Sequence, residues 1–93
     1  MMPKDAREVA NGLAKKGFRR RENDHAFFHL WIGEKKTAIY TKISQGEREI
    51  GDNLLSLMAR QIKLTKKQFT ELVECPMSFE EYVTLLRTGG HVN

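Results

Sequence analysis

His25-Ala26-Phe27-Phe28-His29-Leu30-Trp31-Ile32 is the clearest strand in the chain. It is rich in aromatic and branched side chains and holds neither glycine nor proline, which marks a strand. Strand side chains alternate between faces. Ala26, Phe28, Leu30 and Ile32 therefore form one apolar side, and His25, Phe27, His29 and Trp31 form the other. Gly33-Glu34-Lys35-Lys36 reads as a four-residue turn into a partner strand over Thr37–Ile43. That turn sets His29 opposite Tyr40 and Phe27 opposite Lys42. Ile39 and Ile43 then join the apolar side, leaving Ala38, Tyr40 and Lys42 outside. A slip of one residue would mix the two sets.

Before this strand, Asn23-Asp24 is a turn signal, because both side chains bond locally to backbone and tolerate positive φ. The strand before it begins at Phe18 and ends at Glu22. A three-residue loop over Glu22–Asp24 puts Phe18 inside with Phe28, and Arg19 and Arg21 outside. A two-residue loop would invert this; Phe18, the strand's only apolar residue, favours the first.

Residues 4–16 read as a helix with Ala6, Val9, Ala10 and Leu13 on one stripe. Gly17 after Lys15 and Lys16 is the usual end of such a helix. Gly12 inside it marks either a close contact or a weak spot. After the strands, Ser44–Gly51 reads as a polar loop, and Asp52 as the N-cap of a helix carrying Leu54, Leu55, Leu57, Met58 and Ile62. Thr65-Lys66-Lys67-Gln68 and Ser78-Phe79-Glu80-Glu81 have the capping-box pattern and start two further helices, the second over 79–87. Pro76 stops the first of these, Gly89-Gly90 ends the second, and His91-Val92-Asn93 reads as a frayed tail.

The class is α+β: a three-stranded antiparallel sheet with helices packed mainly on one face. The 93 residues (1–93) make a single domain, and a chain this size buries roughly 60% of its unfolded surface, leaving little room for a deep cofactor cleft. No apolar run approaches the roughly 18 residues needed to span a bilayer, and the N-terminus lacks a signal-peptide core. Cys75 is the one cysteine, so no internal disulfide forms. The expectation is a soluble protein of the reducing cytoplasm.

Net charge is +4, unevenly placed. Residues 1–45 hold ten Lys/Arg and five Asp/Glu, and residues 46–93 hold six and seven. A basic first half suggests a polyanionic partner such as nucleic acid, though an uneven solvated surface would look the same. The outer sheet face concentrates the interest. Aromatics interleaved with Arg and Lys suit stacked bases and flanking phosphates, which selects Arg19, Arg21, Phe27, His29, Tyr40 and Lys42. The alternative is that the C-terminal helix or a second subunit covers this face.

His25, at the mouth of that face, is the one candidate for proton transfer; histidine takes or gives a proton near neutral pH. A lone strand histidine is nonetheless more often structural. No metal or other cofactor is indicated: His25 and His29 stand roughly 13 Å apart along one strand, too far to share a zinc ion. Phosphate-binding glycine loops, nucleophile elbows and paired carboxylates are absent from the sequence, and Cys75 reads as packing.

Leu13-Ala14-Lys15-Lys16-Gly17-Phe18, Asn23-Asp24-His25-Ala26-Phe27-Phe28 and Gly51-Asp52-Asn53-Leu54-Leu55 together resemble HicA toxins, over roughly residues 5–74. That resemblance implies a double-stranded-RNA-binding-like fold of helix, three strands and helix, and activity as an mRNA interferase. It maps the family's histidine onto His25 and implies a separate HicB-like antitoxin as partner. The chain departs from the pattern in Asn23 for the turn glycine, in the short span from Phe18 to His25, and in the extra helix at 79–87. A non-catalytic RNA-binding module and a protein-interaction domain using the same face are the competing readings.

Overall fold

The computed structural model describes residues 4–22, 24–44, 46, 48–74 and 76–92. In chain order the elements are β1 (Lys4–Asp5), α1 (Ala6–Lys15), β2 (Phe18–Glu22), β3 (His25–Ile32), β4 (Lys35–Ser44), β5 (Glu49–Ile50), α2 (Asp52–Gln61), α3 (Lys66–Glu74) and α4 (Phe79–Thr88).

Asp5 starts α1 by accepting a hydrogen bond from the Arg7 backbone N–H at 2.7 Å, and Val9 and Leu13 on the inner stripe are fully buried. Gly17 follows the helix at φ 91°, a conformation costly for any residue with a Cβ. A Cβ there would also lie 2.5 Å from the Phe79 ring, so the turn from α1 into β2 is shaped by α4.

β2, β3 and β4 form an antiparallel sheet in that order. Along most of β3 the pairing is the expected one: Ala26 faces Ile43, Phe27 faces Lys42 and His29 faces Tyr40. Towards the turn it shifts, so that Trp31 faces Lys36 and Ile32 faces Lys35. Thr37, Ala38 and Ile39 thus stand against Leu30 alone in a bulge. The Thr37 hydroxyl holds it, donating to the Leu30 carbonyl at 2.9 Å and accepting from the Ile39 N–H at 3.2 Å.

Phe18, Ala26, Phe28, Leu30, Ile39 and Ile43 meet the helices on the inner face, in one cluster with Leu55, Met58, Phe69, Leu72 and Leu86. Thr41, also buried there, donates its hydroxyl to Gln61 Oε1 at 2.6 Å and so ties β4 to α2. The Tyr82 ring stacks on Phe18 at 5.9 Å and its hydroxyl donates to the Ile62 carbonyl at 2.8 Å. α4 is therefore part of the core on the inner side, and leaves the outer face open. Lys16 is buried as well: its ammonium donates to the Leu72 and Met77 carbonyls at 2.7 and 2.6 Å, closing the C-terminal end of α3. Both capping boxes form, at Thr65 with Gln68 and at Ser78 with Glu81.

Several expectations are corrected. The first helix begins at Ala6 instead of residue 4, because Lys4–Asp5 pairs with Glu49–Ile50 in a two-residue ladder inside the expected polar loop. Ile50, fully buried, anchors that ladder. The third strand of the main sheet starts at Lys35, since the turn is two residues, Gly33-Glu34. Phe18 pairs with Leu30, and Arg19 with His29, because the loop after Glu22 closes one residue later than expected. Gly51, with no side-chain cap, precedes α2; Asp52 is its first residue and binds Lys66 at 2.7 Å instead of capping. The helix expected over 79–87 runs to Thr88, and the tail beyond is tied back: the His91 N–H donates to the Leu86 carbonyl at 2.9 Å and Val92 packs on the core. The readings of Asn23 as a turn residue, Cys75 as packing and Asn93 as frayed lie outside the described residues.

Candidate nucleic-acid interface

Alternation and register bring every expected site residue to the outer face. One cross-strand row is Arg21, Phe27 and Lys42; the next is Arg19, His29 and Tyr40. A third joins Trp31 to Lys36, and His25 stands opposite Ser44 at the other end. The rings touch in sequence. His25 meets Phe27 edge-on at 6.3 Å, Phe27 lies 6.4 Å from His29 and 6.3 Å from Tyr40, and His29 stacks on Tyr40 at 5.1 Å. Tyr40 is 45% exposed, so the stack opens to solvent rather than into a core. The Arg19 guanidinium lies 4.0 Å above the Trp31 ring, within cation–π range, and presents its planar donors beside an aromatic platform.

The electrostatics of the face are cationic. Burial, then the charges of Lys36 and Arg21, hold the His29 imidazole below its ordinary range, so at neutral pH it is an uncharged member of the stack. Lys42 and Arg21 sit on opposite sides of Phe27, each one row along from His25. Diagonal neighbours of this kind are about 7–8 Å apart at the backbone, within reach of long side chains. Tyr40 lies a further row away and is engaged with His29, which separates it from His25.

His25 itself is half-buried. Its Nδ1 is shut from solvent with no hydrogen-bond partner among the described residues, so Nε2 is the nitrogen left to meet a ligand. A histidine acting as a base at Nε2 carries its proton on Nδ1. Here that N–H would be buried without an acceptor, at a cost of about 1–3 kcal/mol. No side chain or carbonyl among the described residues therefore holds His25 in the base-competent tautomer. Among the described residues no group of three or more His, Cys, Asp or Glu side chains comes together, and no helix is long and apolar enough to cross a membrane.

Sequence reasoning did not select Trp31 and Lys36 as site residues, although Trp31 carries Arg19 and Lys36 acts on His29. The signal was available in Gly33-Glu34: glycine at the first of two turn positions marks a two-residue hairpin loop, which makes Lys36 a strand residue. Compared with protein-family models, with curated proteins and with solved structures, the chain matches none.

Proposed function

We propose that the outer sheet face binds single-stranded RNA and that the protein is a HicA-like endoribonuclease acting on mRNA without a metal ion. The observation that carries this reading is the open row of five rings, His25, Phe27, His29, Tyr40 and Trp31, threaded by Arg19, Arg21, Lys36 and Lys42. Bases stack on the rings, at roughly 1–3 kcal/mol each, and the cations meet phosphates. Unstacked single strands suit such a surface better than a duplex, whose bases are already paired with each other. The resemblance of residues 13–18, 23–28 and 51–55 to HicA toxins supports the same conclusion.

In the proposed reaction His25 Nε2 removes the proton of a ribose 2′-hydroxyl. The 2′-oxygen attacks the adjacent phosphorus and the bond to the 5′-oxygen breaks. Arg21 and Lys42 stabilise the charge that develops on the phosphoryl oxygens, and Lys42 supplies the proton to the leaving 5′-oxygen. The products end in a 2′,3′-cyclic phosphate and a 5′-hydroxyl. A separate antitoxin protein covering His25 would silence the site.

A non-catalytic RNA-binding module is the second reading, and it is favoured by the His25 Nδ1, since the general-base tautomer has no acceptor for that proton among the described residues. Incubating RNA with wild type and His25→Ala in chelator separates the two. Cleavage by wild type alone supports the nuclease; binding without cleavage by wild type supports the module.

A further inference from the structure

The bulge that sets Lys36 beside Trp31 also shapes a cleft at the hairpin end of the sheet, about 420 Å³ in volume. It lies between the β3–β4 turn and the tail that follows α4. Ile32, Ala38 and Val92 supply its apolar part, and Lys35, Lys36 and His91 supply nitrogen, with Arg87 also at its wall. No acidic side chain among the described residues lines it. The cleft between α3 and α4 is the opposite case, lined by Glu71, Glu80 and Glu81 without a cation, so the charge is sorted rather than scattered.

Two features make the cationic cleft a place for an anion. First, two of its cations are unspent: neither Lys35 nor Lys36 forms an ion pair among the described residues. Second, neither lysine donates a hydrogen bond to the carbonyls that end α4. Its last carbonyls are already bonded, Leu85 to the Gly89 N–H at 3.0 Å, Leu86 to that of His91 at 2.9 Å and Arg87 to that of Gly90 at 3.1 Å. The cleft is also continuous with the aromatic face through Lys36, which stands opposite Trp31 and whose charge is felt at His29.

We propose that this cleft is a phosphate subsite in which Lys35 and Lys36 hold the phosphate of a strand leaving the aromatic face past Trp31. Only the source of the phosphate rests on the RNA reading; a free phosphate offers the same chemistry. The subsite would give the protein a longer footprint than its ring stack alone and a preference for longer strands.

The test begins with isotope-labelled protein titrated with inorganic pyrophosphate and followed through its backbone amides. Saturable shifts centred on Ala38, His91 and Val92 are expected, and are lost in the Lys35→Ala/Lys36→Ala double variant, whose exposed side chains are not needed for folding. Amides there that stay unmoved, or that move equally in the variant, overturn the subsite. Oligoribonucleotides of two lengths then identify the source. With a strand of roughly four nucleotides, the length the ring stack alone engages, Lys35→Ala by itself keeps the wild-type salt dependence. With a strand more than twice as long, Lys35→Ala lowers the log–log slope by about 0.7, for one lost phosphate contact. Pyrophosphate shifts with no slope change assign the cleft to a free phosphate. Pyrophosphate shifts without RNA binding at either length remove the RNA reading and leave the cleft standing.

Discussion

His29 and Tyr40 face each other across β3 and β4, and their rings stack at 5.1 Å with 22° between the planes. That contact buries one edge of the imidazole while Lys36 and Arg21 oppose its protonation. The His29 titration midpoint should therefore lie below the ordinary value near 6.5, and Lys36→Ala should raise it, as read by NMR of the ring protons. The sign for stability follows. Between the two midpoints the unfolded chain binds a proton that the folded chain refuses, so stability falls as pH drops below about 6.5. His29→Gln should flatten that part of the profile. Bound phosphates would favour the imidazolium, so RNA affinity should rise over the same fall in pH.

Phosphate contact by Arg19, Arg21 and Lys42 has a direct measure in salt. Neutralising all three should reduce the log–log slope of RNA affinity by about 2.1, at roughly 0.7 per contact for single strands. Trp31→Ala and Tyr40→Ala should instead weaken binding at every salt concentration and leave the slope alone. A triple variant with the wild-type slope would show that these cations point away from the phosphates.

Two glycines should respond in opposite directions to an added side chain. A Cβ on Gly12 would lie 2.7 Å from the Val73 carbonyl oxygen and 2.9 Å from the Val73 Cα, so backbone blocks it. Gly12→Ala should destabilise the fold by about 1–3 kcal/mol, despite the helix propensity gained. Gly51 precedes α2 with open space around it and no side-chain cap. Gly51→Ser should stabilise by a few tenths of a kcal/mol by capping α2. Urea unfolding midpoints decide both.

The faces of the sheet were legible because alternation is a parity. The registers of β2 on β3, and of the β3–β4 turn, both differ from the expected ones by two. An even shift leaves every side chain on its own face. What parity cannot fix is which residues meet, since loop length and the bulge at Thr37–Ile39 decide that. Hence Trp31 met Lys36 unannounced. The β1–β5 ladder was illegible for another reason: two residues are too few to show a period, and Ile50 alone marked it. Lys16 reads locally as an exposed helix-end cation. Its burial depends on the Leu72 and Met77 carbonyls, more than fifty residues away in sequence.

The decisive prediction concerns His25. If Nε2 is the base, His25→Ala should lower the cleavage rate about 10²–10⁴-fold with RNA affinity nearly intact, because Phe27, His29 and Tyr40 keep the stack. Activity should persist in chelator and leave 2′,3′-cyclic phosphate ends. His29→Ala should cost far less cleavage, as roughly 13 Å of strand separates it from His25. Lys42→Ala should slow cleavage more than Tyr40→Ala, since Lys42 is one row from His25 and Tyr40 is two. A 2′-hydroxyl that donates to Nε2 favours the base-competent tautomer, so RNA binding should shift the imidazole from Nε2–H to Nδ1–H, visible in its ring-nitrogen resonances. A wild-type protein that binds RNA, keeps its proton on Nε2 and never cuts would make His25 a hydrogen-bond donor to the strand and the protein a binding module.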